Sequence, residues 1–312
     1  VEMWGEIMYF LNEEEKLYLH KSLIPESRDM YIDYNLRGWN WNQPPLEPIY
    51  DIKLGVAETA NNYCSSNRDL YLQKVMKKKF KANDKMLEGS LLHKTLMKFI
   101  TSAKKELYIN GIKEVEYDNL FNLDSNIISE LIGSYYFNNT SKEKLIKKIE
   151  KIWGFESQRV KFRMQEVLSS QPYIDVDALI HQVIPIVVEQ KLNGSFIGLS
   201  SYLSTDAINF SEPMIVDTKF GKEKEFYKLS VTGYALVMES LFSFPVNLGC
   251  LVYPGFKNKR ILIKRDLFII TDELRQKFIE QRDEKMRMIY EDIDPGIANN
   301  CYKICPFYDE CN

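Results

Sequence analysis

Apolar residues recur at helical spacing through most of the first 170 positions and give way to strand-like runs after Tyr173. Met3, Trp4, Ile7, Met8, Phe10 and Leu11 predict a helix over 1–24 that Pro25 ends. Residues 25–50 carry Arg37-Gly38-Trp39-Asn40-Trp41 and then Pro44, Pro45 and Pro48. This reads as an extended connector whose tryptophans pin it to the core, although such rings can also stack on unpaired bases. Helical periodicity resumes over 54–79. A further helix opens at 88–93, with Leu92, Leu96, Phe99 and Ile100 as its apolar stripe, and 112–171 is helical with breaks near Gly133, 138–140 and Gly154.

Strand character begins at Tyr173 with I-D-V-D-A-L-I and continues through V-I-P-I-V-V-E-Q-K-L-N-G. Asn193-Gly194 signals a tight turn, with 196–203 as its return arm. The next arms lie on either side of Ser211-Glu212-Pro213, in S-T-D-A-I-N-F-S-E-P-M-I-V-D-T-K. A helix over 222–242 follows, then strands over 246–254 and 260–270 separated by a turn at 255–259, then a helix capped by Thr271-Asp272-Glu273 that runs to about Tyr290. No internal repeat is present. The pattern predicts an α/β protein whose sheet has antiparallel members: a helical N-terminal region over 1–172, a sheet core over 173–270 and a C-terminal helix and cysteine segment over 271–312.

Composition narrows the picture. With 45% hydrophobic and 27% charged residues in 312, the chain resembles soluble globular proteins. No apolar run approaches the roughly 20 residues that span a bilayer, and no signal-peptide pattern opens the sequence, so a cytoplasmic protein without a membrane partner is expected. The net charge of −3 removes the broad basic field used to capture nucleic acid, which leaves a local groove for any such ligand. The basic stretches at 74–85 and 142–151 read as solvated helix faces.

The hairpin at 205–219 carries an acid on each arm. If its turn is centred between Ser211 and Glu212, facing positions sum to 423 and Asp206 lies opposite Asp217. Facing Cβ atoms are about 5 Å apart and like charges there repel, so a positive group belongs between them. Lys219 shares the face of Asp217 by the strand period of two. Two carboxylates and an ammonium suit a hard divalent cation, Mg²⁺ or Mn²⁺, with a phosphate beside it; a solvated hairpin with scattered charges is the plainer alternative. His93 lies near the edge of its helix stripe, where it is either a core histidine or a metal ligand. Glu189-Gln190-Lys191, with Asp175 and Asp177 upstream, forms a rival E-x-K site, and Glu189 can also serve as an outer acid of the first site.

Cys301, Cys305 and Cys311 crowd the end of the chain in C-Y-K-I-C-P-F-Y-D-E-C, whereas Cys64 and Cys250 stand apart. Five cysteines of this distribution point to metal binding rather than disulfides. Zinc and an iron-sulfur cluster both remain open, since proline beside a ligand and irregular spacing suit the second while zinc commonly pairs two knuckles. A fourth ligand is required, and Cys64 is the candidate, which would staple the two ends of the chain together. Cys250, in the apolar run 248–252, reads as core.

Four stretches in this order resemble the CRISPR-associated, RecB-type nucleases of the Cas-four family, and more closely their archaeal Csa-one branch. They are Y-C-S-S-N-R-D-L-Y around Cys64, G-S-L-L-H ending at His93, D-A-I with I-V-D-T-K over 206–219, and C-x3-C-P-x4-C at the end. R-G-W-N-W and S-F-I-G-L-S are similar to that branch as well. The resemblance implies a mixed central sheet flanked by helices, with a restriction-endonuclease-like, RecB-nuclease-like core. It implies that His93, Asp206, Asp217 and the carbonyl of Thr218 hold Mg²⁺ or Mn²⁺, that Lys219 acts with Asp206 and Asp217 in catalysis, and that Cys64, Cys301, Cys305 and Cys311 hold an iron-sulfur cluster, 4Fe-4S ahead of 2Fe-2S. Tyr234 matches the family's DNA-contact tyrosine. Ser230 stands where the family commonly has glutamine, so Tyr227 and Lys228 become substitute contact candidates. The implied activity is a metal-dependent exonuclease acting on single-stranded DNA from the 5′ end during CRISPR spacer acquisition, alongside the adaptation integrase; a non-catalytic iron-sulfur subunit that binds DNA or that integrase is the alternative.

Overall fold

The computed structural model describes residues 11–79, 82–111, 120–133, 135, 139–257, 260–299, 301, 303 and 305–311. The predicted helix positions Met3, Trp4, Ile7, Met8 and Phe10 lie outside the described residues. Asn12 caps α1 (Glu13–Tyr18) through a reciprocal pair with Glu15. A π-helical turn, Leu19–Leu23, joins it to α2 (Ile24–Asp29). The helix therefore passes through Pro25, which falls in the first turn of α2, where its missing N–H is tolerated.

The connector at 30–50 is coiled into short 3₁₀ turns at Tyr34–Leu36 and Gly38–Asn40 rather than extended. It is pinned to the core as expected: Leu46 is fully buried and Trp41 stacks on Phe196 at 4.8 Å. Gly38 sits so close to a later helix that a Cβ would lie 2.1 Å from the carbonyl oxygen of Leu236. The predicted helix over 54–79 is two short ones, α3 (Val56–Ala60) and α4 (Arg68–Lys74), separated by a loop that holds Cys64 and ends with Asn67 in the left-handed region. Asn83 caps α5 (Asp84–Asn110), so this helix starts ahead of the predicted opening.

Next come α6 (Ser125–Ile132) and α7 (Asn139–Ser170), which runs straight through Gly154. That glycine is exposed, where its entropic cost, about 1 kcal/mol, does not break a helix of this length. The segment after Tyr173 departs from its strand pattern and forms α8 (Val176–Val183), because the Asp175 side chain accepts from Ala178 N and starts a helix.

The central sheet has the order β1-β4-β5-β6-β7. Its members are β1 (Ile186–Val188), β4 (Ala207–Asn209), β5 (Met214–Thr218), β6 (Leu248–Lys257) and β7 (Arg260–Ile269), while β2 (Lys191–Leu192) and β3 (Leu203–Ser204) pair separately. Only β5 and β6 run parallel; the connection between them is α9 (Tyr227–Phe242), which begins five residues later than its periodicity indicated. The sheet is thus mixed, as expected. The Asn193-Gly194 signal does not give a tight two-residue hairpin: Gly194 keeps a negative φ of −89°, and the chain makes a longer loop in which Gly198 takes φ +74°.

Every residue of β5 is buried, since helices cover both faces of the sheet. Met214 and Val216 join one apolar core with α5, α7 and α8, while Ile215 joins the other with α9 and α10 (Asp272–Tyr290). A short helix, α11 (Tyr308–Cys311), ends the described chain. No helix among the described residues is long and apolar enough to cross a membrane.

Candidate active site

The observed register pairs Ala207 with Val216, Ile208 with Ile215 and Asn209 with Met214. Each pair sums to 423, so one further step sets Asp206 beside Asp217. Thr218 N donates to Asp206 Oδ2 at 2.9 Å, which holds that carboxylate over the end of β5. Asp217 shares the face of Ile215, toward α9, and is 4% exposed.

Lys219 Nζ lies 2.8 Å from Asp217 Oδ2. The contact is an ion pair by distance but lies off the hydrogen-bonding direction, and that oxygen has no directed partner. Burial pushes the Asp217 carboxyl up to about 7; Lys219 pulls it down while Asp206 adds to the rise. Burial works against the charge on Lys219, yet the carboxylates of Asp217 and Asp206 outweigh it and hold the ammonium above its ordinary range.

His93 extends from α5 beside the apolar residues Leu92 and Leu96, and its Nε2 stands 3.4 Å from Asp206 Oδ1. Burial lowers its pKa in spite of the Asp217 carboxylate, favouring the neutral imidazole that ligates metals. Glu189 takes φ +49° between β1 and β2, donates its backbone N–H to Asp206 O at 3.1 Å, and its charge is felt by His93. It therefore belongs to this site's surroundings. The remaining members of the rival set point elsewhere: Lys191 Nζ donates to Ser204, Asp175 caps α8, and Asp177 is exposed on that helix.

The residues fit a hard cation by donor chemistry. Two carboxylates and a neutral imidazole converge, and a buried carboxylate oxygen lacks a directed partner. The side chains are not closed into a ready-made cage: among the described residues no group of three or more His, Cys, Asp and Glu side chains meets metal-site geometry. The Lys219 ammonium occupies the neighbouring position and partly offsets the acid charge.

Tyr234 lies close enough to Asp206 and Asp217 that both raise its pKa, after burial. The Lys219 ammonium sits 5.1 Å from the centre of the Tyr227 ring. Lys228 is engaged elsewhere, 3.0 Å from Asp266 and over the ring of Phe268. Ser230 is buried in α9, away from solvent. Tyr63 escaped sequence reasoning: its hydroxyl meets that of Tyr227 at 2.6 Å, and its position next to Cys64 was its only signal.

The cysteine segment comes back to the Cys64 loop. Ser66 Oγ donates to Gly296 O at 2.8 Å, Arg68 grips Asp294 with two nitrogens, and Lys78 Nζ pairs with Glu310 at 2.6 Å. Cys305 and Cys311 each feel Cys301 and Cys64 electrostatically, so the four sulfurs share one region. Burial raises both thiols above their ordinary pKa. Cys250 is 1% exposed and burial pushes it up to about 12, the mark of an inert core thiol.

A buried and a half-buried acid facing each other, with a lysine beside them at the end of a mixed sheet, define a protein with a candidate hydrolytic site. The profile of the family described as CRISPR-associated exonuclease Csa1 matches residues 8–312, and the chain belongs to that family. It is 29% identical over 309 residues to the CRISPR-associated exonuclease Csa1 of Saccharolobus solfataricus, covering 97% of this chain and 99% of the relative. The protein of the same name from Thermoproteus tenax is 25% identical over 280 residues, covering 90% and 91%.

Proposed function

We propose that this chain is a metal-dependent deoxyribonuclease that degrades single-stranded DNA, from the 5′ end, and processes DNA ends for CRISPR spacer acquisition together with the adaptation integrase. The observation that carries this reading is the buried Asp217 carboxylate, facing Asp206 and left with an undirected oxygen beside Lys219. Family membership supports it, since the relatives bear the name exonuclease.

In this reading His93, Asp206, Asp217 and the Thr218 carbonyl hold Mg²⁺ or Mn²⁺. An ion bound there would supply Lewis-acid polarisation of the scissile phosphate and a lowered pKa for the attacking water. Lys219 balances charge on the phosphate and orients the water from its place beside Asp217. Tyr234 and Tyr227 line the approach to the carboxylates and the lysine, whereas Lys228 must first leave Asp266 to reach DNA. The core is of the RecB-nuclease type shared with the Cas-four family. Cys64, Cys301, Cys305 and Cys311 hold a 4Fe-4S cluster that fastens the tail to the start of the core.

The test is Asp217→Ala. Mn²⁺-dependent degradation of single-stranded DNA should fall at least about a thousandfold, with an unchanged circular dichroism spectrum. Undiminished activity in that variant overturns the assignment.

A further inference from the structure

Tyr63, Phe226, Tyr227 and Tyr253 form a continuous run of rings from the surface to the lysine of the candidate site. Tyr63 meets Phe226 edge-on with centroids 5.0 Å apart, Phe226 meets Tyr227 at 5.0 Å, and Tyr227 approaches Tyr253 at 6.5 Å. Lys219 Nζ stands over Tyr227. The inner rings, Tyr227 and Tyr253, are each 9% exposed, but Tyr63 is 55% exposed.

An exposed aromatic ring normally pays an entropic cost when a ligand orders it. Tyr63 is already ordered at two points, one of them on a residue that is itself anchored. Its hydroxyl is held by Tyr227, its backbone N–H donates to Asn61 Oδ1 at 2.8 Å, and the Asn61 carbonyl accepts from the buried Lys285 ammonium at 2.6 Å. A ring fixed at its polar end and open along its apolar body is a preorganised stacking surface. Its neighbour is a cation suited to a phosphate, and every nucleobase offers a π-face.

We propose that Tyr63, backed by Phe226, is a nucleobase-stacking subsite that takes the unpaired base of the nucleotide whose phosphate lies at Lys219. A base held this way is drawn out of the stack and cannot remain paired, so the subsite selects single-stranded ends. The Tyr63–Tyr227 hydrogen bond sets the angle of the ring but does not itself bind the base. This inference rests on the nuclease reading for its ligand, and its test is separable from that reading.

The experiment measures binding, in Ca²⁺, of short single strands that carry 2-aminopurine or an abasic site at the end nucleotide, to the full chain and to Tyr63→Leu and Tyr63→Phe. The chain should quench 2-aminopurine and bind the abasic strand roughly tenfold to a hundredfold more weakly. Tyr63→Leu should bind both strands alike and lose the quenching, whereas Tyr63→Phe, which keeps the ring but not its bond to Tyr227, should keep the quenching and a smaller preference for the base-bearing strand. Equal quenching in Tyr63→Leu, or loss in Tyr63→Phe as severe as in Tyr63→Leu, overturns the stacking role. Absent Mn²⁺-dependent cleavage with intact base-dependent binding would sink the nuclease reading and leave the subsite standing; absent binding by the wild-type chain overturns the subsite.

Discussion

Two buried carboxylates, Asp217 in β5 and Glu239 in α9, have surroundings that differ in the one respect that separates structure from chemistry. Glu239 receives Arg37 Nη1, Gly38 N, Val246 N and both terminal nitrogens of Arg275, all within 3.0 Å. Glu239 and Arg275 are fully buried, and the same guanidinium nitrogens also reach Asn247 Oδ1, Leu36 O and Val246 O, so the carboxylate sits in a network of made hydrogen bonds. Asp217 is nearly as buried, yet one oxygen has no directed donor and a second acid faces it. A satisfied buried acid fastens the connector and α10 onto α9. One that has a lysine beside it but a second acid facing it carries an electrostatic cost that a ligand can relieve.

The strongest way to break this comparison is Glu239→Ala. It leaves two buried guanidiniums with neutral acceptors but no counter-charge, and such removals cost about 3–5 kcal/mol. Urea denaturation should show that loss, and no ligand should restore it. A loss below about 1 kcal/mol would mean that the network is not what holds the connector in place.

Asp217→Asn should move stability the other way in metal-free protein. A carboxyl whose folded pKa is raised from 3.8 to about 7 favours the folded state below its ordinary range, and that contribution is lost as pH rises through about 7. At pH 8 the wild-type chain therefore carries a charge it would prefer to shed, and the amide variant should be more stable by on the order of 4 kcal/mol. At pH 4 the difference should vanish. Comparing the two chains at each pH also cancels most of the opposite contribution of His93, whose lowered pKa adds stability as pH rises. A variant less stable than wild type at pH 8 in EDTA would show that Asp217 is a structural acid like Glu239.

The two carboxylates were also unequally legible in the sequence. Asp206 and Asp217 lie in one hairpin, so the strand period and a turn signal sufficed to predict their register. Glu239 looked like any polar residue in α9, because its partners Arg37 and Arg275 lie 202 and 36 residues away. Tyr63 was hidden for the same reason, as it meets Tyr227 across 164 residues. The stretch after Tyr173 misled locally: its alternating apolar residues fit a strand, and only the bond from Ala178 N to Asp175 decided for a helix. Cys64 was placed with the tail by ligand counting, while the contacts through Ser66 and Arg68 that bring the tail there belong to no periodic pattern.

Arg68 offers the smallest and most discriminating step, because it separates charge pairing from burial. Its guanidinium grips Asp294 with two nitrogens, a geometry as good as that of Arg275 on Glu239. The Asp294 side chain, however, is 40% exposed where that of Glu239 is 0%. Water competes for the exposed carboxylate and solvates whatever a mutation leaves behind, so the stranded partner costs little. Arg68→Ala should reduce global stability by about 1 kcal/mol or less, while exposing the segment 291–299 to proteases sooner than in the wild-type chain. A loss of 3 kcal/mol or more on urea denaturation, comparable with that from Glu239→Ala, would show that pairing rather than burial sets the energy of these contacts, and with it would fall the distinction between Glu239 and Asp217.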